Sequence, residues 1–395
     1  MNSPSQARLM AAAIAGQWIF GIILALLGQL FGIPAATEHL HLDLPAQARL
    51  LLTLFTGQLL FTAGVGRMAD RLGSTRVLGT GSLLMSAAVF LLAFAPGFQH
   101  AALGAFVMSL GGACVNAAAN TLVSTVYGNR RGPMLNVLGV FGAAGAVSVP
   151  LAFSGVSTYQ QVRGRLIALA AACGSIGVLQ LLQRAPHSDG PVQPARGVSR
   201  AALRDPFVLA LAVVLVIDFG TEAVMAGWIG PYTLAAVPSA SPTTMLGLYW
   251  GALASGRMLM PLVLARMTKL VLLATAATVA ALGLLAISAA RTPLILALWL
   301  AATGLALSPM APTTLSVAGD RYERQTGTIF GMLLAVGQLG AIIMPWSVAR
   351  VAGASGFRAG MLVACACGVV MAAVLWRLAT RRQRPRADQV GRAGG

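Results

Sequence analysis

Hydrophobic and polar positions along the chain alternate in long blocks. Each apolar block approaches or exceeds the roughly 20 residues that a helix needs to cross the hydrocarbon core of a bilayer. The breaks between blocks carry proline, glycine and charge. The blocks fall at 9–32, 48–66, 77–95, 100–127, 134–156, 164–183, 206–234, 243–265, 270–290, 292–316, 327–350 and 357–379. The pattern predicts an all-α polytopic membrane protein with twelve transmembrane helices.

The longest polar break, residues 184–206, is rich in proline and arginine and separates two sets of six apolar blocks. It predicts four regions of the chain. These are an N-terminal six-helix bundle at 1–183, a cytoplasmic linker at 184–206, a C-terminal six-helix bundle at 207–380 and a basic cytoplasmic tail at 381–395.

The two halves also repeat in sequence. The segment from Asn120 to Pro150 aligns with the segment from Thr313 to Pro345. The alignment pairs Thr121 with Thr314, Gly142 with Gly337 and Gly145 with Gly340, and Gly57 falls opposite Gly251 at nearly the same offset. Because both copies begin on the same side of the membrane, six helices apart, the repeat is parallel. Parallel repeats predict two pseudo-symmetric bundles, with a substrate site between them near the middle of the membrane.

Composition excludes a soluble protein. Charged residues make up 9% of the chain and hydrophobic ones 57%, whereas soluble domains carry about 25% charged residues. The net charge of +17 does not indicate nucleic acid, because the arginines lie in loops between apolar blocks. Twenty of the 27 basic residues fall on the side of both termini and six on the other side, which predicts that both termini are cytoplasmic. Lys269 is the only lysine, a bias typical of GC-rich bacteria, so we expect a bacterial inner membrane.

The sequence offers no catalytic constellation. The four cysteines lie inside apolar blocks and lack the spacing of a metal site or a disulfide framework. The four histidines fall outside the apolar blocks or at their edges. We therefore expect no enzyme activity, no cofactor and no bound metal.

The segment from Gly66 to Leu78 reads GRMADRLGSTRVL. It resembles the signature loop of the major facilitator superfamily of transporters. The matching residues are Gly66, Asp70, Arg71, Gly73 and Arg76. The glycines permit a tight turn, and a carboxylate can bind the N-terminus of a helix. The resemblance implies a conformational latch between this loop and the helix that opens near Gly327. The alternative is a solvated basic loop that only sets topology.

Three charged residues lie inside the apolar blocks. Asp218 and Glu222 are four residues apart on one helical face, and Arg257 follows in the next span. Counting from Pro238 places Glu222 and Arg257 at similar depth, which predicts an ion pair with Asp218 close by. Carboxylates within a membrane are usually functional, so we expect proton coupling here. The alternative is an ion pair that only braces the helices.

Amide and aromatic side chains inside the spans are candidates for substrate binding. Amides supply paired donors and acceptors that suit uncharged, hydroxylated solutes, and aromatic rings stack on sugar faces. They also bridge helices, which is the alternative for each one. The candidates are Gln17, Trp18, Gln58, Asn116, Asn120, Asn136, Trp228, Tyr232, Trp250 and Gln338.

Several segments resemble the fucose permease-type branch of the superfamily, which includes proton-coupled sugar importers. They include DFGTEAVMAGWIGPY in span seven and YWGALASGRML in span eight. Glu222, Trp228, Tyr232 and Arg257 match recurring positions of that branch. Two departures stand out, since Gly139 replaces a frequent histidine and spans one and four lack an acid.

The sequence therefore predicts a secondary active transporter for a sugar or a similar polar metabolite, driven by protons. We expect it to act as a monomer in the lipid bilayer. One alternative is an exporter of drug-like or lipid-like amphipathic compounds, and a remote one is a membrane sensor without transport.

Overall fold

The computed structural model describes residues 4–127, 131–183, 204–322 and 326–383. These residues form helices and contain no strand. The helices are α1 (Pro4–Phe31), α2 (Pro34–His39), α3 (Leu44–Leu72), α4 (Ser74–Ala93), α5 (Phe98–Tyr127), α6 (Arg131–Ala152), α7 (Tyr159–Leu181), α8 (Pro206–Ala236), α9 (Pro242–Leu264), α10 (Lys269–Ala289), α11 (Pro293–Leu307), α12 (Met310–Arg321), α13 (Thr326–Ser355) and α14 (Phe357–Gln383).

Ten stretches of the described chain are helical, long enough and apolar enough to cross a membrane, with α11 and α12 counted as one. The helices α3 and α9, of 29 and 23 residues, supply the other two predicted spans. Both carry charged side chains, since α3 contains Arg49 and Asp70 and α9 contains Arg257. The short helix α2, which the hydrophobic pattern did not predict, joins α1 to α3.

Span ten, which the sequence predicts as one continuous stretch, is broken in the structure. It breaks between α11 and α12 at Ser308 and Pro309. Pro309 and Pro312 lack the N–H that an uninterrupted helix would donate, and a proline ring clashes with the preceding turn. The Ser308 hydroxyl partly compensates, because it donates to the Leu305 carbonyl at 2.7 Å. The corresponding helix of the first half, α5, is unbroken over 30 residues.

The repeat predicted from sequence is visible in the packing. Helix α1 packs on α6 as α8 packs on α13, and α4 packs on α7 as α10 packs on α14. A Cβ atom at Gly145 would overlap the Trp18 carbonyl, and one at Gly340 would overlap the Val216 carbonyl. Both glycines therefore permit the same close approach in the two halves. The pair formed by Gly57 and Gly251 differs, because Gly57 packs on Ser109 whereas Gly251 faces open space.

The two halves meet along α1–α8, α3–α13 and α6–α9. We call the side where α1 begins and α14 ends the terminal face, and the opposite side the distal face. Contacts between the halves concentrate toward the distal face. There a Cβ at Gly28 would overlap the Ala226 carbonyl, and Gln29 Nε2 donates to Thr243 Oγ1 at 2.7 Å.

Toward the terminal face the packing between the described residues of the two halves is looser. Gly64 of α3 and Gly331 of α13 lie on two helices that join the halves, and no atom lies within 4 Å of the point that a Cβ would occupy at either. Among the described residues, the halves therefore pack more closely at the distal face than toward the terminal face.

Candidate functional site

The predicted charged cluster forms near the middle of α8. Asp218 and Glu222 lie one turn apart on this helix, and Arg257 of α9 reaches Glu222 with 3.5 Å between Nη2 and Oε1. The side chains of Arg257 and Glu222 are 22% and 18% exposed, so the pair is partly open to its surroundings. The structure thus places the two residues together as the counting from Pro238 predicted.

Asp218 lies in a different setting from Glu222. Its side chain is fully buried, and neither carboxylate oxygen has a hydrogen-bond partner among the described residues. Electrostatic interactions join it to Glu222 and Arg257. Two acids and one arginine leave this buried group with one uncompensated negative charge when all three are ionised.

Tyr249 belongs to the same cluster, although the sequence analysis did not select it. The tyrosine is fully buried, its hydroxyl has no described partner, and it interacts electrostatically with Asp218, Glu222 and Arg257. The signal in the sequence is its position eight residues before Arg257, two turns along the same side of α9.

Arg257 also contacts the first half of the molecule. Its Nη1 donates to the Gly139 carbonyl of α6 at 3.0 Å. The acceptor belongs to the backbone, so no residue type in the sequence could indicate this contact. The arginine therefore joins a carboxylate of one half to a helix of the other.

The amide candidates of the first half form a second cluster. Gln17 Nε2 of α1 lies 3.5 Å from Asn116 Oδ1 of α5, and Asn120 Nδ2 donates to the same oxygen at 3.0 Å. Gln17 Oε1 has no described partner. Gln58 of α3 is also buried, and its Nε2 has none. The amide cluster of the first half thus consists of neutral hydrogen-bond donors and acceptors, whereas the cluster of the second half consists of charged side chains.

Three further candidates remain predictions. Trp18 and Gln338 are half-buried, and Asn136 lies one turn before Gly139. No described hydrogen bond joins any of them to the charged cluster.

The aromatic candidates of α8 and α9 divide into two kinds. Trp228 Nε1 donates to the Pro345 carbonyl at 3.0 Å, and the Tyr232 hydroxyl donates to the Ile287 carbonyl. Because both polar atoms already have backbone partners, these two residues brace α8 in this conformation. Trp250 differs, since it is buried with an unpartnered Nε1 and packs edge-on against Tyr249 at 5.3 Å between ring centroids.

The signature segment is helical over most of its length, which corrects its interpretation as a loop. Helix α3 continues through Leu72, Gly73 alone forms the junction with φ of +89°, and α4 begins at Ser74. Only glycine adopts this backbone conformation readily. Arg71 and Arg76 are exposed. The side chain of Asp70 and the surroundings of Gly66 and Gly327 lie outside what the structure describes, so the latch stays a prediction.

A second charged group lies at the terminal face, and the sequence analysis did not identify it. Asp205 caps α8 by accepting from the Phe207 N–H at 2.8 Å, and it also binds Arg321 Nη2 at 2.9 Å and the Tyr322 hydroxyl. Partial burial raises the pKa of Asp205, but these hydrogen bonds and the arginine charge outweigh it and hold that pKa below its usual range. Nearby, Lys269 Nζ pairs with Asp320 at 2.8 Å.

Among the residues that the structure describes, no three His, Cys, Asp or Glu side chains come together to hold a metal ion. What the arrangement can do chemically is bind a cation or a proton at the acids and hydrogen-bond a polar solute at the amides. Gln17 of α1, Gln58 of α3 and the charged residues of α8 and α9 lie on helices along which the two halves meet.

Comparison with known proteins identifies the fold. The sequence model of the Major Facilitator Superfamily matches residues 9–270. A structure of a mutant of the nucleoside transporter NupG superposes with a TM-score of 0.74 at 14% identity, covering 95% of this chain and 99% of that one. A bacterial homologue of the human lysosomal transporter Spinster, solved inward-facing and occupied, superposes with a TM-score of 0.76 at 13% identity, covering 96% and 98%.

A search of curated proteins found no matching sequence. The family match spans well over half of the chain. The all-helical fold, with two repeated bundles that meet at α1–α8, α3–α13 and α6–α9, agrees with it. The chain therefore belongs to the major facilitator superfamily and is a membrane transporter, not an enzyme.

Proposed function

We propose that this protein is a secondary active transporter that moves a small polar solute by alternating access and couples that movement to protons at Asp218 and Glu222. The observation that carries the proposal is the setting of Asp218. Its carboxylate is fully buried and unpartnered, one turn from an ion pair and near the plane where the two halves meet.

The charge balance supports a proton as the coupling ion. A buried, uncompensated ionised group costs several kcal/mol, and burial favours the neutral form of a carboxyl group. Taking up one proton would neutralise the net negative charge of the two acids and Arg257. Glu222 is paired and partly exposed, so Asp218 is the better proton-binding residue.

The neutral cluster of the first half supports a polar, uncharged substrate. Gln17, Asn116 and Asn120 present amide groups from α1 and α5, and Gln17 Oε1 remains free to accept a hydrogen bond. Such groups match hydroxyl or amide groups of a solute. A sugar fits them, in keeping with the resemblance to fucose permease-type carriers, and a nucleoside fits them as well.

The negative charge favours one other candidate. A cationic amphipathic compound could neutralise Asp218 and Glu222 in place of a proton, which would make the protein an exchanger that exports such compounds. The two candidates differ in what should stabilise the purified protein. Ligands that bind the folded state raise its melting temperature, so sugars and nucleosides can be compared directly with lipophilic cations.

We further propose that the protein lies in a bacterial inner membrane with both termini cytoplasmic. The charge asymmetry of the loops supports this orientation. In this orientation the terminal face, where the described residues of the two halves pack less closely, is cytoplasmic.

The coupling experiment uses proteoliposomes and the sugar or nucleoside that gives the largest thermal shift. We expect Asp218→Asn to abolish uphill uptake driven by a proton gradient and to retain exchange of labelled for unlabelled solute, because exchange needs no net proton movement. Asp205→Asn is the matched control, because Asp205 lies just before the same helix and outside its membrane-spanning part. This variant should accumulate solute like wild type. Uphill uptake by both Asp218→Asn and Glu222→Gln would overturn proton coupling at this cluster.

A further inference from the structure

Among the described residues, Arg257 is the charged side chain that hydrogen-bonds to both halves. One nitrogen lies 3.5 Å from Glu222 of α8 and the other donates to the Gly139 carbonyl of α6 at 3.0 Å. We propose that Arg257 is a positioning residue that transmits the charge state of Glu222 to the first half of the molecule. This inference rests on the proposed function and adds to it that Glu222, as well as Asp218, takes up a proton.

The chemistry of the side chain suits a bridge with two ends. A guanidinium group is planar, always charged and able to donate several hydrogen bonds in fixed directions. Lysine has a single charged nitrogen and cannot reproduce this fork. The acceptor at the other end is the backbone carbonyl of Gly139, at 3.0 Å from Nη1.

The ionised Glu222 carboxylate holds one side of the guanidinium. The other groups that interact electrostatically with this pair are Asp218 on α8 and Tyr249 on α9, and α6 contributes the Gly139 carbonyl. When Glu222 is neutral, the guanidinium loses its charged partner. The hydrogen bond to Gly139 then loses the anchor that fixes its geometry.

The position of the bridge makes this loss consequential. The bridge lies nearer to the terminal face than the tightly packed distal contacts such as those of Gly28. It joins α6 and α9 in the part of the interface where the described packing is looser. Losing it disfavours the conformation described here and favours the alternative, in which the terminal face is closed. A difference of a few kcal/mol between two states is enough to change their populations greatly.

The test measures the distance between the halves by electron–electron resonance. Spin labels are placed at Thr125 on α5 and Thr268 before α10, both at the terminal face, after the four native cysteines are replaced by alanine. In wild type we expect the short-distance population to grow between about pH 8 and about pH 5, across the range where buried carboxyl groups in proteins can take up protons. Glu222→Gln should already show the acid distribution at about pH 8.

Two variants isolate the bridge. Arg257→Lys keeps the charge but should lose the pH-dependent shift, and adding Glu222→Gln to it should change nothing further. Asp205→Asn keeps all bridge residues and should respond like wild type. A wild-type shift in Arg257→Lys would overturn the proposal, as would a wild-type distribution at about pH 8 in Glu222→Gln.

Folding and coupling failures can be separated from failure of the bridge. Each variant is first required to elute as a single peak in detergent, and Glu222→Gln tests the inference alone if Arg257→Lys does not fold. If Asp218→Asn loses uphill uptake while Arg257→Lys keeps the distance response, proton coupling stands and the bridge is refuted.

Discussion

The two halves of this transporter share their packing but differ in their chemistry. In the first half, α5 is continuous and the polar groups inside the spans are neutral amides such as Gln17 and Asn116. In the second half, span ten is broken at Pro309, and α8 and α9 carry Asp218, Glu222 and Arg257. The two repeated bundles thus share their helix packing but place different polar groups, neutral amides or charged side chains, inside their spans.

We propose that this difference gives the two halves separate tasks. Neutral amides can recognise a solute without the cost of a buried charge, whereas ionisable groups can respond to protons. The broken span lies next to the charged helix, because a Cβ at Gly256 would overlap the Ser308 hydroxyl at the break. Gly256 directly precedes Arg257, so the charged cluster lies beside the break between α11 and α12.

The largest effect should come from the packing that the halves share. Gly145→Val and Gly340→Val would each drive a side chain into a backbone carbonyl of the neighbouring helix. We expect both variants to lose most of the folded protein, because neither obstacle is a side chain that can move and overpacking of this kind costs about 3 kcal/mol or more. Fluorescence-detected size-exclusion chromatography of each variant measures the loss.

Gly251→Val is the matched control, since this glycine faces open space. It should fold like wild type, with any helix-propensity effect below about 1 kcal/mol. If one of Gly145→Val and Gly340→Val folds normally, the close approach is not shared by the two halves.

The next effect concerns the ion pair that only the second half contains among the described residues. Glu222→Gln or Arg257→Gln leaves one partly buried charge without its partner, and breaking a buried pair costs about 3–5 kcal/mol in general. Partial exposure of both side chains places the expected loss at the low end of that range. Thermal melts in detergent measure the loss for each variant.

The double variant Glu222→Gln with Arg257→Gln decides what the pair contributes. Removing both charges should recover part of the stability that either single change loses, because no unpaired charge remains. Additive losses would show that the two side chains stabilise the helices independently. The interpretation of Glu222 and Arg257 as an ion pair that only braces the helices would then be excluded, and Asp218 would remain as the residue proposed for proton coupling.

The sequence predicted most of what the two halves share and the charged cluster of α8 and α9. The lengths of the apolar blocks predicted the spans, and the alignment of the two halves predicted that Gly145 corresponds to Gly340. Counting residues from Pro238 predicted that Glu222 lies beside Arg257. It did not predict the Gly139 contact, because a backbone carbonyl carries no residue signature. Pro309 and Pro312 could have indicated the break in span ten, but the uninterrupted apolar run around them favoured one helix.

The terminal-face cluster of Asp205, Arg321 and Tyr322 was beyond sequence reasoning for another reason. Asp205 lies more than 110 residues before Arg321 and Tyr322, and all three come from segments that read as ordinary polar connections. Only the fold brings the start of α8 to the end of α12. The first half shows no counterpart among its described residues, so the cluster adds another difference between the halves.

The smallest effect that we predict is the pH dependence of this cluster. Hydrogen bonds and Arg321 hold the pKa of Asp205 below its usual value near 3.8, despite the opposing effect of burial. A carboxyl group whose pKa is lower in the folded state stabilises the protein above its unfolded pKa. That contribution is lost as the pH falls from about 3.8 through the lower folded value. An ion pair near the surface contributes about 1 kcal/mol.

Asp205→Asn should therefore lower the melting temperature of the protein slightly at neutral pH and leave it unchanged once the acid is protonated in wild type. Melting curves from about pH 7 down to about pH 3 in the same detergent make the comparison, since this range spans the usual titration of an aspartate. The two curves should converge at the acid end, because protonated aspartic acid and asparagine are both neutral there. Lys269→Gln, which removes the neighbouring pair with Asp320 but leaves Asp205 intact, should keep the wild-type acid slope. A difference between Asp205→Asn and wild type that stays constant with pH would show that the Asp205 charge does not stabilise the start of α8, and that its role is limited to capping the helix.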